Sequence, residues 1–242
     1  MKTFKEHSMY SAIADFYHEI FPVNQGFLNF IQDYLGPSGS RILDLGCGPG
    51  DYIHILSEKY EGIGIDANPE MIQLANARNR GKFHALSFTQ ISSLEGPFAC
   101  AWCIGNSLSY LPYEMEAAFF KTLSGLLIKS GYFIIQVVNW NRYELTGQMD
   151  FPVKTLSDGR TFHRAYEPSK GNTVIFQTRL QKKNEIIGQW KDTLYPKPME
   201  HLRSLMESSG LNVMGEYGDY DKTPFSPASS PAVIILGQKN AF

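Results

Sequence analysis

Ile42-Leu43-Asp44-Leu45-Gly46-Cys47-Gly48-Pro49-Gly50-Asp51 is the stretch that decides how this chain folds. A short apolar run ends in glycines at alternate positions, and a helical pattern follows. An apolar run without alternation suits a strand buried on both faces of a parallel sheet. Glycine allows a tight turn and a close backbone approach to a ligand. In doubly wound sheets, this first strand-to-helix turn is where a cofactor sits. Asp66 stands at the end of the next expected strand, 20 residues after Gly46. A carboxylate there can accept two hydrogen bonds from a ribose diol.

Outward from this turn, strands and helices alternate. Strands are expected over Arg41–Leu45, Gly62–Ile65, Phe83–Leu86, Phe98–Ile104 and Tyr132–Val138. Helices are expected over Asp51–Lys59, Pro69–Arg78 and Glu114–Ile128, the last closed by Gly131. Asn68 reads as an N-cap with Pro69 in the first turn. Such alternation means βαβ units and a parallel sheet. Before it, Tyr10, Ile13, Phe16, Tyr17 and Ile20 recur at helical spacing. After Asn139 the pattern changes. Thr161–Glu167, Thr173–Gln181 and Glu185–Leu194 read as strands with no helix between them, an antiparallel meander. Met199–Ser208 returns to helix, with Gly210 as its stop. Leu211–Tyr217 and Ala232–Leu236 are the last strands. The whole chain, 1–242, is read as a single domain with an N-terminal helical cap over 1–38 and an antiparallel lid insertion over 139–197.

Bulk properties narrow the function. Hydrophobic residues make up 43% of 242, enough for a sizeable core. A net charge of −2 argues against a nucleic-acid binder, whose phosphate contacts need a basic face. The start MKTFKEHSMY has no apolar segment of the secretory kind, and the apolar runs fall short of the roughly 18 residues a membrane helix needs. A cytoplasmic protein without membrane or nucleic-acid partners is expected. The 3 cysteines follow no zinc spacing, and no metal is expected. Cys100-Ala-Trp-Cys103 spells a CxxC, but within a strand its two thiols point to opposite faces.

Two cofactors fit the glycine turn. A dinucleotide needs Gly-x-Gly-x-x-Gly facing its pyrophosphate. Here the third glycine would fall at position 51, which holds Asp51. An acid beside a pyrophosphate is unfavourable. S-adenosylmethionine instead carries an ammonium and a sulfonium, and Asp44 and Asp51 favour both.

At this point the sequence resembles a known family. Ile42–Asp51 resembles motif I of the class I S-adenosylmethionine-dependent methyltransferases, and Gly62–Met71 (GIGIDANPEM) their following acidic motif. Ile104-Gly105-Asn106-Ser107-Leu108-Ser109-Tyr110-Leu111 and the tail from Tyr217 to Pro231 resemble the glycine N-methyltransferase-like, small-molecule branch. The resemblance implies an α/β fold: a doubly wound, seven-stranded, mostly parallel sheet of Rossmann-like kind, its last strand reversed, with the β insertion after the fifth strand. It implies a cofactor site drawn from Asp44, Gly46, Cys47, Gly48, Gly50, Asp66, Ala67, Met71, Ser87, Phe88, Ile104 and Gly105. Tyr10 and Tyr17 lie in the segment that closes over the cofactor in this family. Ser87 departs from the family's usual Asp or Asn.

Methyl transfer from a sulfonium is an in-line displacement whose leaving group departs neutral. Positioning and exclusion of water can supply most of the rate. No triad or acid pair is therefore required, and the catalytic residues are left open among Asn106, Tyr143 and His163. Asn106, Ser107, Tyr110, Asn141, Arg142 and Tyr143 follow the fourth and fifth strands and are the acceptor-binding candidates. Arg142 is suited to hold a carboxylate bidentately, or else makes a surface ion pair. His163 and the two tyrosines have plainer readings as packing residues. The expected activity is methylation of a small molecule at an amine nitrogen, with S-adenosyl-L-homocysteine as by-product. A homodimer through the β insertion is the oligomer considered. The rival readings are a cofactor-binding regulatory module without turnover and an NAD-dependent oxidoreductase.

Overall fold

A computed structural model describes residues 9–142, 149–183 and 185–241. The strands, in chain order, are β1 (Arg41–Leu45), β2 (Glu61–Asp66), β3 (Lys82–Ala85), β4 (Phe98–Cys103), β5 (Leu127–Val138), β6 (Met149–Asp150), β7 (Lys154–Thr155), β8 (Thr161–Pro168), β9 (Val174–Lys182), β10 (Glu185–Leu194), β11 (Leu211–Tyr217) and β12 (Ala232–Lys239). The chain divides into two compact units: Met1–Val23 with Glu144–Pro196, and Asn24–Tyr143 with Lys197–Phe242.

The larger unit holds a seven-stranded sheet in the order β11-β12-β5-β4-β1-β2-β3. β1 pairs parallel with β2 and β4, β2 with β3, and β4 with β5. β12 runs antiparallel to both β5 and β11. This is the doubly wound, mostly parallel architecture, with its last strand reversed. Its centre is apolar because both faces are covered. Every residue of β4 is buried, and one core lies on each side of the sheet. Cys100 belongs to one core and Cys103 to the other, both as free thiols. The alternation of a strand thus keeps the CxxC apart.

The smaller unit is a five-stranded antiparallel sheet in the order β10-β9-β8-β6, with β7 also paired to β8. The short β6 and β7 carry little sequence signal and were not expected. The helix Met9–Ala12 packs on β10. Ser157 donates from its N–H and its hydroxyl to the Glu19 carboxylate at 2.8 and 2.7 Å, and Arg160 lies 4.2 Å over the Phe16 ring. The first helical turns and the insertion therefore form one unit. Gln25–Tyr34 instead packs into the larger core, started by Asn24, whose side chain accepts from the Phe27 N–H at 3.2 Å.

The largest difference in an element boundary from the sequence reading lies before Tyr132. The helix Tyr113–Leu126 ends earlier than expected, and β5 starts at Leu127 rather than Tyr132. The pairing with β4 shifts register between Phe98 and Cys100, and Ser130 takes φ 59. A bulge lets the strand continue through a stretch that reads as a helix stop.

Where the chain re-enters the larger unit, Lys197 is fully buried beside Glu116, which is 1% exposed. Lys197 pairs with the Glu116 carboxylate, donates to the Leu111 carbonyl at 2.6 Å and lies 4.6 Å over the Tyr113 ring. Glu116 also meets His201 at 2.5 Å. Removing one partner strands a buried charge. Lys197→Ala should lower stability in urea unfolding by about 3–5 kcal/mol, and Lys197→Met with Glu116→Gln should recover most of the loss. A loss below about 1 kcal/mol for Lys197→Ala would show that the pair is not desolvated in solution.

Candidate active site

The chain leaves β1 towards β2 and returns to β4 on the other side of β1. The crevice of a doubly wound sheet opens at the carboxyl ends of such a strand pair. Two turns meet there. Gly46 takes φ 84, and a Cβ on it would stand 2.7 Å from the Ser107 Cβ and 3.7 Å from the Phe88 ring. Only glycine lets the turn after β1 sit against the turn after β4.

Backbone amides fix the glycine turn. The Gly46 and Cys47 N–H groups both donate to the Ile65 carbonyl, at 2.8 and 2.9 Å. The Gly48 N–H donates to Asp66 Oδ2 at 2.9 Å, and the Asn68 N–H to Oδ1 at 2.8 Å. Gly50 takes φ 87 and opens the helix Asp51–Leu56. Burial raises the Asp66 pKa, and the two amides partly offset it. Each Asp66 oxygen keeps acceptor capacity beyond its amide. The turn and the end of β2 are thus one hydrogen-bonded piece.

Asp44 is the unusual group. It is 1% exposed, and its Oδ2 has no hydrogen-bond partner. Burial pushes its pKa up to about 8. The nearby Trp102 indole pulls it down, although Trp102 Nε1 stands outside hydrogen-bond geometry. Asp66 and Asp51 raise it further by repulsion. Burial, with Asp44 and Asp66 beside it, also pushes the Cys47 thiol up, so it stays protonated. A buried carboxyl is normally paired, and this one lacks its partner. Three acids around a glycine turn suit a cationic ligand and repel a pyrophosphate, so the residues fit S-adenosylmethionine.

The other cofactor candidates line the same end of the sheet. Met71 is buried, and its N–H donates to Asn68 Oδ1 at 3.0 Å, while Ala67 is exposed. Phe88 packs edge-on against Phe119 at 5.5 Å. The Ser87 N–H and hydroxyl both lie 2.9 Å from Gln90 Oε1, and the hydroxyl also lies 2.9 Å from Thr89 Oγ1. Ile104 is half-buried, and the exposed Gly105 donates its N–H to Gln136 Oε1 at 2.8 Å.

The acceptor candidates separate. Asn106 takes φ 66, and its Oδ1 accepts from the Val138 N–H at 3.0 Å and the Ser109 hydroxyl at 2.7 Å. Its carbonyl braces β4 to β5, leaving its amide NH2 as the group it can offer. Ser107 and Tyr110 are half-buried on the following turn, and Asn141 and Arg142 are exposed after β5. Tyr143 lies outside the described residues. Tyr10, Tyr17 and His163 belong to the smaller unit. Tyr17 packs on Phe21 at 5.2 Å. His163 lies 3.0 Å from Thr161 Oγ1 and is held below the usual histidine range by burial and Arg179.

Sequence reasoning missed two positioning groups. Gln136 is a lone polar residue in the apolar run of β5, a signal that was available. Asn139, 1% exposed, donates from its amide to the carbonyls of Pro227 and Ser230 at 2.9 Å, tying the tail loop to the end of β5. Nothing local to Asn139 announces partners 88 and 91 residues away.

Comparisons with known proteins agree with this geometry. Residues 42–131 match the family model of a methyltransferase domain. Over 216 residues, 81% of this chain, the sequence is 25% identical to a glycine/sarcosine/dimethylglycine N-methyltransferase of Actinopolyspora halophila. The chain spans 35% of that relative's length. Among solved structures, an S-adenosylmethionine-dependent methyltransferase of Clostridium acetobutylicum superposes with a TM-score of 0.80 at 16% identity, over 96% of this chain and 100% of that one. An amino pentose methyltransferase of Micromonospora echinaspora, solved with S-adenosylmethionine bound, gives 0.73 at 17% identity, over 98% and 100%. Residues 42–131 are thus a methyltransferase domain by sequence, and the chain shares the fold of these solved S-adenosylmethionine-dependent methyltransferases. No helix among the described residues is long and apolar enough to cross a membrane.

The buried acid has a consequence for stability. The folded pKa of Asp44, about 8, lies above its unfolded value of about 3.9. The native state therefore binds more protons between those values, and stability falls as pH rises through that window. Asp44→Asn should remove this slope and leave the unliganded protein more stable than the wild type at pH 8, by an amount on the order of a few kcal/mol. Parallel stability profiles for the two proteins between pH 5 and 8 would contradict the assignment.

Proposed function

We propose that this protein transfers a methyl group from S-adenosylmethionine to an amine nitrogen of a small-molecule acceptor. The observation that carries the cofactor assignment is the unpaired, buried Asp44 carboxyl beside the Gly46–Gly50 turn. In this reading Asp44 and the backbone around Gly46 hold the cofactor's ammonium end, and Asp66 takes the ribose diol. Ala67, Met71, Ser87 and Phe88 line the adenine, with Ile104 and Gly105 beside them. The bound cofactor supplies a methyl group activated on its sulfonium.

The chain's own part is binding, orientation and exclusion of water. An amine acceptor must arrive uncharged, and its proton can pass to water. The Asn106 amide NH2, Ser107, Tyr110 and Asn141 are the groups assigned to orient the acceptor. Arg142, exposed at the carboxyl end of β5, suits an anionic substituent on it. The amine reading is supported by the relative that acts on glycine, sarcosine and dimethylglycine and by the structural neighbour that acts on an amino pentose.

Thermal shift should show saturable stabilisation by S-adenosylmethionine, about 2.7 kcal/mol at a hundredfold excess over Kd, and none by NADH. Asp66→Ala should weaken cofactor binding by about 1.5–3 kcal/mol, the worth of hydrogen bonds to a charged group. With a panel of small primary amines, S-adenosylhomocysteine should form only when an acceptor is present. Stabilisation by NADH alone would return the oxidoreductase reading. Cofactor binding without product from any acceptor would favour the regulatory module.

A further inference from the structure

We propose a second binding site, for a small carboxylate anion, on the antiparallel sheet of the smaller unit, built from Arg164 and Thr178. The two residues face each other in register across β8 and β9. Directly opposed residues of an antiparallel pair present their side chains on the same face. Phe162 and Tyr166 of β8 share that face with Leu180 and Phe176 of β9, and all four are buried. The pair is thus a polar island in an apolar row.

Each residue has one buried polar atom without a hydrogen-bond partner. Arg164 Nε is shut off from solvent with no acceptor. Thr178 is 1% exposed, and its hydroxyl has no hydrogen-bond partner. Burial lowers the Arg164 pKa, and Tyr166 acts against it. Among the described residues, no carboxylate lies within ion-pair distance of Arg164. Its guanidinium instead lies over two aromatic rings, 5.1 Å from Phe151 and 5.8 Å from Phe21. Ring faces support a cation but leave its N–H donors unfilled. A half-buried guanidinium held in place with an unfilled, buried Nε–H, beside a buried hydroxyl able to donate, offers two unused donors to an anion.

The chemistry selects the class of anion. One guanidinium and one neutral hydroxyl supply a single positive charge, so a dianionic phosphate would enter this apolar surrounding under-neutralised. The guanidinium fork matches the two oxygens of a planar carboxylate. The Phe151, Tyr166 and Phe176 rings, at 4.9 and 5.4 Å from one another in sequence, add an apolar surround that favours a carboxylate with an aromatic or aliphatic body. This site is built within the smaller unit alone and does not depend on the methyl-transfer reading.

The test uses the full chain, titrated with sodium benzoate and sodium acetate at constant ionic strength and followed by tryptophan fluorescence and thermal shift. Sodium chloride and sodium sulfate serve as controls. Benzoate should bind saturably and more tightly than acetate. Arg164→Gln should weaken benzoate at least tenfold, and Arg164→Lys should restore part of that loss. Thr178→Val is nearly isosteric and should weaken benzoate several-fold. It should also raise the unliganded Tm, because it removes an unsatisfied buried hydroxyl. Equal effects of chloride or sulfate, no saturable response to either carboxylate, or benzoate binding unchanged in Arg164→Gln would overturn the site. A lowered unliganded Tm in Thr178→Val would do the same, because it would show that the hydroxyl is already engaged.

Discussion

A carboxyl group buried at the end of a central strand, with one oxygen left unpaired, is the constraint around which the candidate site is arranged. Asp44 sits in β1 between two parallel neighbours, where apolar side chains would be cheaper. Burial and the charges of Asp66 and Asp51 all oppose its ionisation. In the unliganded protein the group is a cost, and it becomes an asset when a cation arrives. In the proposed function, the same acids that destabilise the empty turn would favour an onium cofactor over a pyrophosphate, because repulsion would exclude the competitor.

The rest of the larger unit holds that acid and its turn in place. Asp66 binds the turn through the Gly48 amide, and the turn binds the end of β2 through the Ile65 carbonyl. On the other side Gln136 and the Asn106 carbonyl fasten the exit of β4 to β5, and Asn139 fastens β5 to the tail loop. Each of these groups sits on or next to a rigid strand. The turns at the crevice are therefore positioned by strands rather than by loop packing, as a site that works by orientation requires.

Much of this was legible in the sequence because it is local. The apolar runs of β1 and β4, the glycines from Gly46 to Gly50, the Asn68–Pro69 helix start and the meander all carry signals within a few residues. Even the separation of Cys100 from Cys103 follows from strand alternation. What escaped depends on distant partners. The brace made by Asn139 joins residues far apart in the chain, and the buried Lys197–Glu116 pair looks in sequence like two surface charges. The continuation of β5 through Ser130 depends on a bulge, which tertiary pairing imposes on a segment of helical pattern. Arg164 and Thr178 alternate correctly as strand residues, yet only the register of β8 with β9 brings them together.

The central claim is that Asp44 is a buried acid awaiting a cation. Carboxyl-carbon NMR of selectively labelled aspartate, with Asp44→Asn supplying the assignment, reads its titration directly. The account predicts a midpoint near pH 8 in the unliganded protein, as its burial requires. With saturating S-adenosylmethionine the same resonance should be that of a carboxylate at neutral pH, its midpoint lowered by the neighbouring positive charge. An ordinary midpoint near 4 without ligand, or one that does not move when the cofactor binds, would contradict the account.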